Sequence, residues 1–197
     1  MDERKLARLV TDVVVRRPFL WRFARGRLRD MCDRIAPTWE TRLRPEHLDA
    51  LRLALEGLPA PARVLDVGTG TGVAAHALAA WFPAAADVVG VDLAPGMVAQ
   101  AAAKGGRARF EVADASALPF AGGSFDLVVL VNAIPFFDEL ARVTAPGGAV
   151  AVSFSRGAET PIFVPEERLR RELGRRGFAD FAAFAAPPAT AFRALKR

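Results

Sequence analysis

The sequence predicts an α/β domain on a doubly wound, mostly parallel sheet, preceded by a helical segment. Three observations predict it. From Arg63 onward, short apolar runs alternate with stretches of helical spacing, the pattern of repeated strand–helix units. The apolar runs are continuous rather than interleaved with polar residues, as strands covered on both faces require. The first run, "RVLDV", leads directly into "GTGTG", a glycine-rich loop that lets backbone approach a ligand closely.

Element by element, residues 1–58 read as a helical N-terminal cap and 59–197 as the sheet domain. Within the cap, "APTWE" is a loop, and a helix begins near Pro45. Pro45 suits a first helical turn, and Leu48, Leu51, Leu55 and Leu58 keep helical spacing until Pro59 and Pro61 end it. Then "RVLDV" is a strand, "VAAHALAAWF" a helix, "ADVVGVDL" a strand and "PGMVAQAAAK" a helix. "ARFEVAD" and "FDLVVLVN" are strands, and "FFDELARV" is a helix. "APGGAVAVSFS" is a turn and strand, and "PEERLRRELGRRG" a helix. The runs "FADFAAFA" and "TAFRALK" have no helix between them and form an antiparallel hairpin around Pro187-Pro188.

Bulk properties narrow the classes. A chain of 197 residues with 52% hydrophobic residues and mean hydropathy +0.19 buries a full core and is not disordered. No apolar run approaches the ~20 residues of a membrane span. The start, "MDERKLARLV", is too charged for a signal peptide, so a cytoplasmic location is expected. The single cysteine, Cys32, rules out an intrachain disulfide or a cysteine-based zinc site, and no metal is expected. The net charge of +5 divides into +5 over residues 1–63, −4 over 64–155 and +4 over 156–197. The glycine loop thus lies in the acidic part, which speaks against a nucleic-acid surface there. "RRPFLWRFARGRLRDMCDR" remains a basic, aromatic segment that could meet an anionic substrate or a membrane surface.

Ligands of such sheets sit beyond the carboxyl ends of the strands, which is where the glycine loop falls. A dinucleotide requires Gly-x-Gly-x-x-Gly or -Ala, onto which Gly70, Gly72 and Ala75 can be forced. Gly68 is then unexplained, and Asp66 would face a doubly charged pyrophosphate at a cost of several kcal/mol. A cationic ligand reverses that sign. S-adenosylmethionine carries a sulfonium and an ammonium, and Asp66 attracts both. Asp92, at the end of the second strand, suits ribose hydroxyls of either ligand. Asp114, at the end of the third, can accept from the adenine amine, with the Ala115 N–H facing a ring nitrogen. A lone aspartate at a strand end is more often a helix cap, but three on successive strands point to a ligand.

In order and spacing, "VLDVGTGTG", "GVDLAPGMV", "ADASALPF", "SFDLVVLVNA" and "ELARVTAPGGAVAV" resemble class I S-adenosylmethionine-dependent methyltransferases. The likeness spans about residues 60–155 and is nearest the small-molecule branch that includes the ubiquinone/menaquinone-biosynthesis type. It implies a Rossmann-like seven-stranded sheet of order 3-2-1-4-5-7-6, with strand 7 antiparallel. It also implies cofactor contacts at Asp66, Gly68, Gly70, Asp92, Leu93, Asp114 and Ala115. Val67, Thr69, Gly72, Met97 and Asn132 are further candidates in the same motifs.

Two features of the family are missing. The stretch after the fourth strand, "VNAIPFFDELARV", lacks the histidines such enzymes often carry there, and no Asn-Pro-Pro-Tyr signature of amino-group methylation is present. Base or protein-amide methylation is therefore disfavoured. Few groups could act catalytically. Asn132, the only asparagine, stands at the end of the fourth strand, Phe136 and Phe137 could wall an acceptor pocket, and Trp39 with the aromatics of "RRPFLWRF" could close a lid or pack the cap. His47, His76 and Cys32 read as structural. The expected partner is a small, apolar or aromatic methyl acceptor, with no nucleic acid. Competing readings are a cofactor-binding protein without transferase activity, and an RNA methyltransferase using the basic cap.

Overall fold

A computed structural model describes residues 3–42 and 45–197. The elements run α1 (Glu3–Arg16), α2 (Trp21–Ile35), α3 (Asp49–Leu55), β1 (Arg63–Val67), α4 (Val73–Trp81), β2 (Asp87–Asp92) and α5 (Pro95–Ala103). They continue with β3 (Arg109–Val112), β4 (Phe125–Val131), α6 (Phe137–Val143), β5 (Thr144–Phe154), α7 (Glu166–Gly174), β6 (Phe178–Ala186) and β7 (Ala189–Lys196). Short 3₁₀ turns occupy Pro18–Leu20, Ala36–Arg42, Pro45–Leu48 and Gly157–Glu159.

The seven strands form one sheet in the order β3-β2-β1-β4-β5-β7-β6. β1 pairs in parallel with β2 and β4, with Val64 beside Val88 and Leu127. β7 runs antiparallel to both β5 and β6, so the expected order, strand direction and C-terminal hairpin are all present. The helices start where local chemistry favours them. Pro95 opens α5, where its missing N–H costs nothing, and Glu166 and Glu167 oppose the positive end of α7.

Side-chain alternation along the strands divides the core. Leu65, Val67, Val128, Leu130, Val150 and Val152 face one layer with Leu140 of α6 and Leu169 and Leu173 of α7. Val64, Val88, Leu127, Val129 and Ala151 face the other, with Leu78 of α4 and Leu51 and Leu55 of α3. Each such side chain removed from water stabilises the fold by about 1.5–3 kcal/mol.

The packing divides the helical segment read over residues 1–58. Leu51 and Ala50 are wholly buried against the sheet, so α3 is one of its covering helices. What lies over the strand ends is α1, α2 and the turn Ala36–Arg42. A second difference concerns "APGG", expected as a turn before the fifth strand. β5 begins at Thr144, opposite Phe125, and shifts register before Ala149 pairs with Leu127. The absence of side chains at Gly147 and Gly148 lets the strand carry this irregularity, because a Cβ on Gly148 would meet the Asp126 carbonyl oxygen at 2.8 Å.

Candidate active site

The glycine loop follows β1. The Gly68 and Thr69 N–H groups both donate to the Val91 carbonyl at 2.9 Å, which folds the loop over the end of β2. Gly68 adopts φ +71°, and a Cβ there would lie 2.6 Å from the Ala133 Cβ. Only glycine meets both demands. Lys104 Nζ donates to the Thr71 carbonyl at 2.6 Å and pairs with Glu40 of the overlying turn.

Each of the three strand-end aspartates has a different environment. Asp66 is 1% exposed. Thr69 Oγ1 donates to its Oδ2 at 2.6 Å, while Oδ1 is buried without a hydrogen-bond partner. Burial pushes its carboxyl up to about 7, against hydrogen bonds from Thr69 and from the Ala75 N–H of α4, and the nearby Asp92 charge adds to the rise. Asp92 accepts from the Gly70 and Ala94 N–H groups, both at 2.9 Å. It thereby clips the glycine loop to the loop after β2, and burial raises its pKa too. Asp114 is the most engaged. Its Oδ1 accepts from the Ser116 N–H, the Ser116 hydroxyl and Trp21 Nε1, and its Oδ2 from Arg25 at 3.1 Å. Burial raises the Asp114 carboxyl, but these donors outweigh it and hold the group below its ordinary value.

The cap helix α2 and the turn after it reach all three strand ends. Asp33 accepts from the Gly96 N–H at 2.7 Å, at the start of α5. Met97 and Ala94 are buried beneath Cys32, Ile35, Ala36 and Trp39. The Trp39 indole nitrogen lies 3.4 Å from where a Cβ on Gly70 would stand. Leu93 and Ala115 pack in the cluster formed by Trp21, Val14 and Phe136.

The structure therefore gathers Asp66, Val67, Gly68, Thr69, Gly70, Gly72, Asp92, Leu93, Met97, Asp114 and Ala115 around the carboxyl ends of β1, β2 and β3. Asn132 has φ +52°, and both polar atoms of its side chain are engaged by Ser155 at 2.9 Å. Its amide thus ties the end of β4 to the end of β5. Phe136 meets Trp21 edge-on at 5.3 Å, and Phe137 packs in the main core. His76 bonds the Ala101 carbonyl at 3.2 Å and packs on Phe110, a structural setting. His47 lies in the turn before α3. The Cys32 thiol is pushed up to about 12, by burial and then by Asp92 and Asp33, so it is a neutral thiol and not a nucleophile. Trp21, one of the "RRPFLWRF" aromatics read as lid candidates, lies over the β3 end, whereas Arg25, Asp33 and Ser116 escape the sequence, since a basic run names no partner.

These residues fit an adenosyl cofactor that is cationic at its amino-acid end. The unpartnered Asp66 Oδ1 suits an ammonium, and a pyrophosphate would meet a buried carboxylate there. Asp92 retains lone pairs for hydroxyl donors, and Asp114 Oδ2, with one partner, retains one for an amine.

A seven-stranded sheet of this order, with a glycine loop after β1 and acids closing β1, β2 and β3, defines the class I methyltransferase fold. Comparison with known proteins agrees. A methyltransferase-domain family matches residues 64–148. Demethylmenaquinone methyltransferase of Thermus thermophilus is 46% identical over 114 residues, covering 52% of this chain and 50% of that protein. The ubiquinone/menaquinone biosynthesis C-methyltransferase UbiE of a Geobacter species is 33% identical over 156 residues, covering 70% and 66%. Among solved structures, an S-adenosylmethionine-dependent methyltransferase of Aquifex aeolicus superposes with TM-score 0.67 at 19% identity, covering 82% of this chain and 98% of that one. The chain has the fold and the motifs of the class I S-adenosylmethionine-dependent methyltransferases, whose cofactor is S-adenosylmethionine. It spans between half and two thirds of the length of the two curated relatives. Among the described residues, no helix is long and apolar enough to cross a membrane.

Proposed function

We propose that the protein transfers the methyl group of S-adenosylmethionine to a small acceptor with an apolar or aromatic body, by direct displacement. The observation that carries this reading is the set of three acids, Asp66, Asp92 and Asp114, that close β1, β2 and β3 around the glycine loop. Three carboxyl groups at one ligand site favour a cationic, hydroxyl- and amine-bearing ligand over a pyrophosphate.

When bound, the cofactor would supply a methyl carbon on a positively charged sulfur, passed to the acceptor as the carbon–sulfur bond breaks to leave a neutral thioether, with any acceptor proton leaving to solvent. The chain's own part is alignment and dehydration. Asp66 and the Gly68–Gly70 backbone hold the amino-acid end, Asp92 the ribose, and Asp114 with the Ala115 N–H the adenine. Trp21 and Arg25 fix the Asp114 carboxylate from the cap, and Trp39 shields the loop at Gly70. In this reading residues 3–42 act as a lid over 45–197. Phe136 borders the acceptor, and Asn132 holds the β4 end in place through Ser155.

The acceptor chemistry of the relatives supports a small molecule. They include demethylmenaquinone methyltransferase and malonyl-[acyl-carrier protein] O-methyltransferase. One basic side chain of α2, Arg25, is spent inward on Asp114, and the reading includes no nucleic-acid partner. A cytoplasmic setting belongs to the same proposal.

The test is transfer of isotopic label from methyl-labelled cofactor to a panel of small phenols, quinols and organic acids. Label in at least one product is the expected result. Binding of S-adenosylhomocysteine with no label transferred to any of them would favour cofactor binding without transferase activity.

A further inference from the structure

A cavity of about 580 Å³ opens between the cap and helices α6 and α7. Its size suits a small organic ligand. It adjoins the candidate cofactor site through two shared residues. Trp21 and Ser116 line it, and both also donate to Asp114 Oδ1. Phe136 and Phe137 of its floor follow the end of β4. The cavity is thus at the carboxyl edge of the sheet, where an acceptor has to lie.

Its charge is one-sided once pairing is considered. The three lining carboxylates are already held: Asp138 and Glu172 by Arg176, and Glu139 by Arg142. Arg16 and Arg22 of the cap and Arg175 at the end of α7 line the same space and have no carboxylate partner among the described residues, although the Arg22 guanidinium lies over the Phe23 ring at 4.6 Å. Arg168, also in the wall, donates to the Val15 carbonyl at 3.1 Å and pairs with Glu172 at 4.0 Å, yet its Nε is buried without a partner. Guanidinium groups beside aromatic rings can recognise an acid on an apolar body.

We propose that this cavity receives the methyl acceptor, and that the acceptor is an acidic organic molecule: an apolar or aromatic body carrying a carboxylate or a phosphate. The identification as acceptor site rests on the methyl-transfer reading, while the preference for an anion stands on the cavity alone.

The test is calorimetric titration with 2-naphthoate, 2-naphthyl phosphate and uncharged 2-naphthalenemethanol at low salt, alongside S-adenosylhomocysteine. At least one anionic probe is expected to bind roughly fivefold or more tightly than the alcohol, as one or two charge-assisted contacts in a partly open cavity imply. Which anion binds better separates carboxylate from phosphate recognition. The triple variant Arg16→Gln, Arg22→Gln, Arg175→Gln changes exposed side chains only. It should abolish that preference and leave S-adenosylhomocysteine affinity unchanged. Equal binding of charged and uncharged probes, or a preference that survives the triple variant, overturns the proposal. S-adenosylhomocysteine binding without anion preference would sink the cavity assignment alone. The reverse outcome would sink the methyl-transfer reading and keep the anion site.

Discussion

Asp92→Ala should weaken S-adenosylhomocysteine binding by roughly one to three decades. Each charge-assisted hydrogen bond to a ribose hydroxyl contributes about 1.5–3 kcal/mol, and each decade of affinity corresponds to about 1.4 kcal/mol. The change also frees the Gly70 and Ala94 N–H groups, which Asp92 now holds at 2.9 Å. Removing a carboxylate whose burial disfavours its charge offsets part of that loss. Apo stability is therefore expected to change far less than affinity. Calorimetry and thermal unfolding of the same variant check both, and an unchanged dissociation constant would remove Asp92 from the site.

The second large effect is on stability. Gly68→Val places a branched side chain at φ +71°, with its Cβ 2.6 Å from that of Ala133. Backbone strain in the left-handed region costs about 1–3 kcal/mol, and overpacking adds about 1–3 kcal/mol. Gly105→Ala is the control, because Gly105 has φ +68° but open space around its missing Cβ. It should cost only the backbone part, about 1–2 kcal/mol. If denaturant unfolding finds the two variants equally destabilised, the close approach of Ala133 is not what demands glycine at position 68.

Much of this architecture is legible in the sequence because it is local. Continuous apolar runs report strands covered on both faces, and the Leu65/Val64 alternation later sorts into the two core layers. The glycine loop and the aspartates at 66, 92 and 114 follow strand ends directly, so their neighbourhood follows once the sheet is parallel. What escapes is contact across long sequence distance. Trp21 meets Asp114 from 93 residues away, and Arg25 from 89. A basic aromatic run carries no mark of which strand end it will cover. Asn132 reads as a candidate at the β4 end, and its tie to Ser155, just beyond β5, is not legible because the two lie 23 residues apart. The placement of α3 was hidden for a similar reason. Its leucine spacing defines an apolar face without saying whether that face meets the cap or the sheet.

Under the proposed function, the buried Asp66 carboxyl beneath the glycine loop receives a cation. In the apo protein Asp66 sits near 7, well above an unfolded aspartate. The folded chain therefore holds a proton that the unfolded chain lacks between about pH 4 and 7. This raises apo stability at the acid end and lowers it by ~1.4 kcal/mol per pH unit as pH rises through that window. An ammonium beside Asp66 favours the ionised form, so binding expels the proton. The decisive measurement is titration with S-adenosylhomocysteine at pH 6 and pH 8 in buffers of different ionisation enthalpy. One-to-one binding is expected to be roughly tenfold weaker at pH 6, with release of about one proton there and about a tenth of a proton at pH 8. NAD should give no binding heat. Tight NAD binding, or cofactor binding with no proton release at pH 6, would contradict this reading of Asp66.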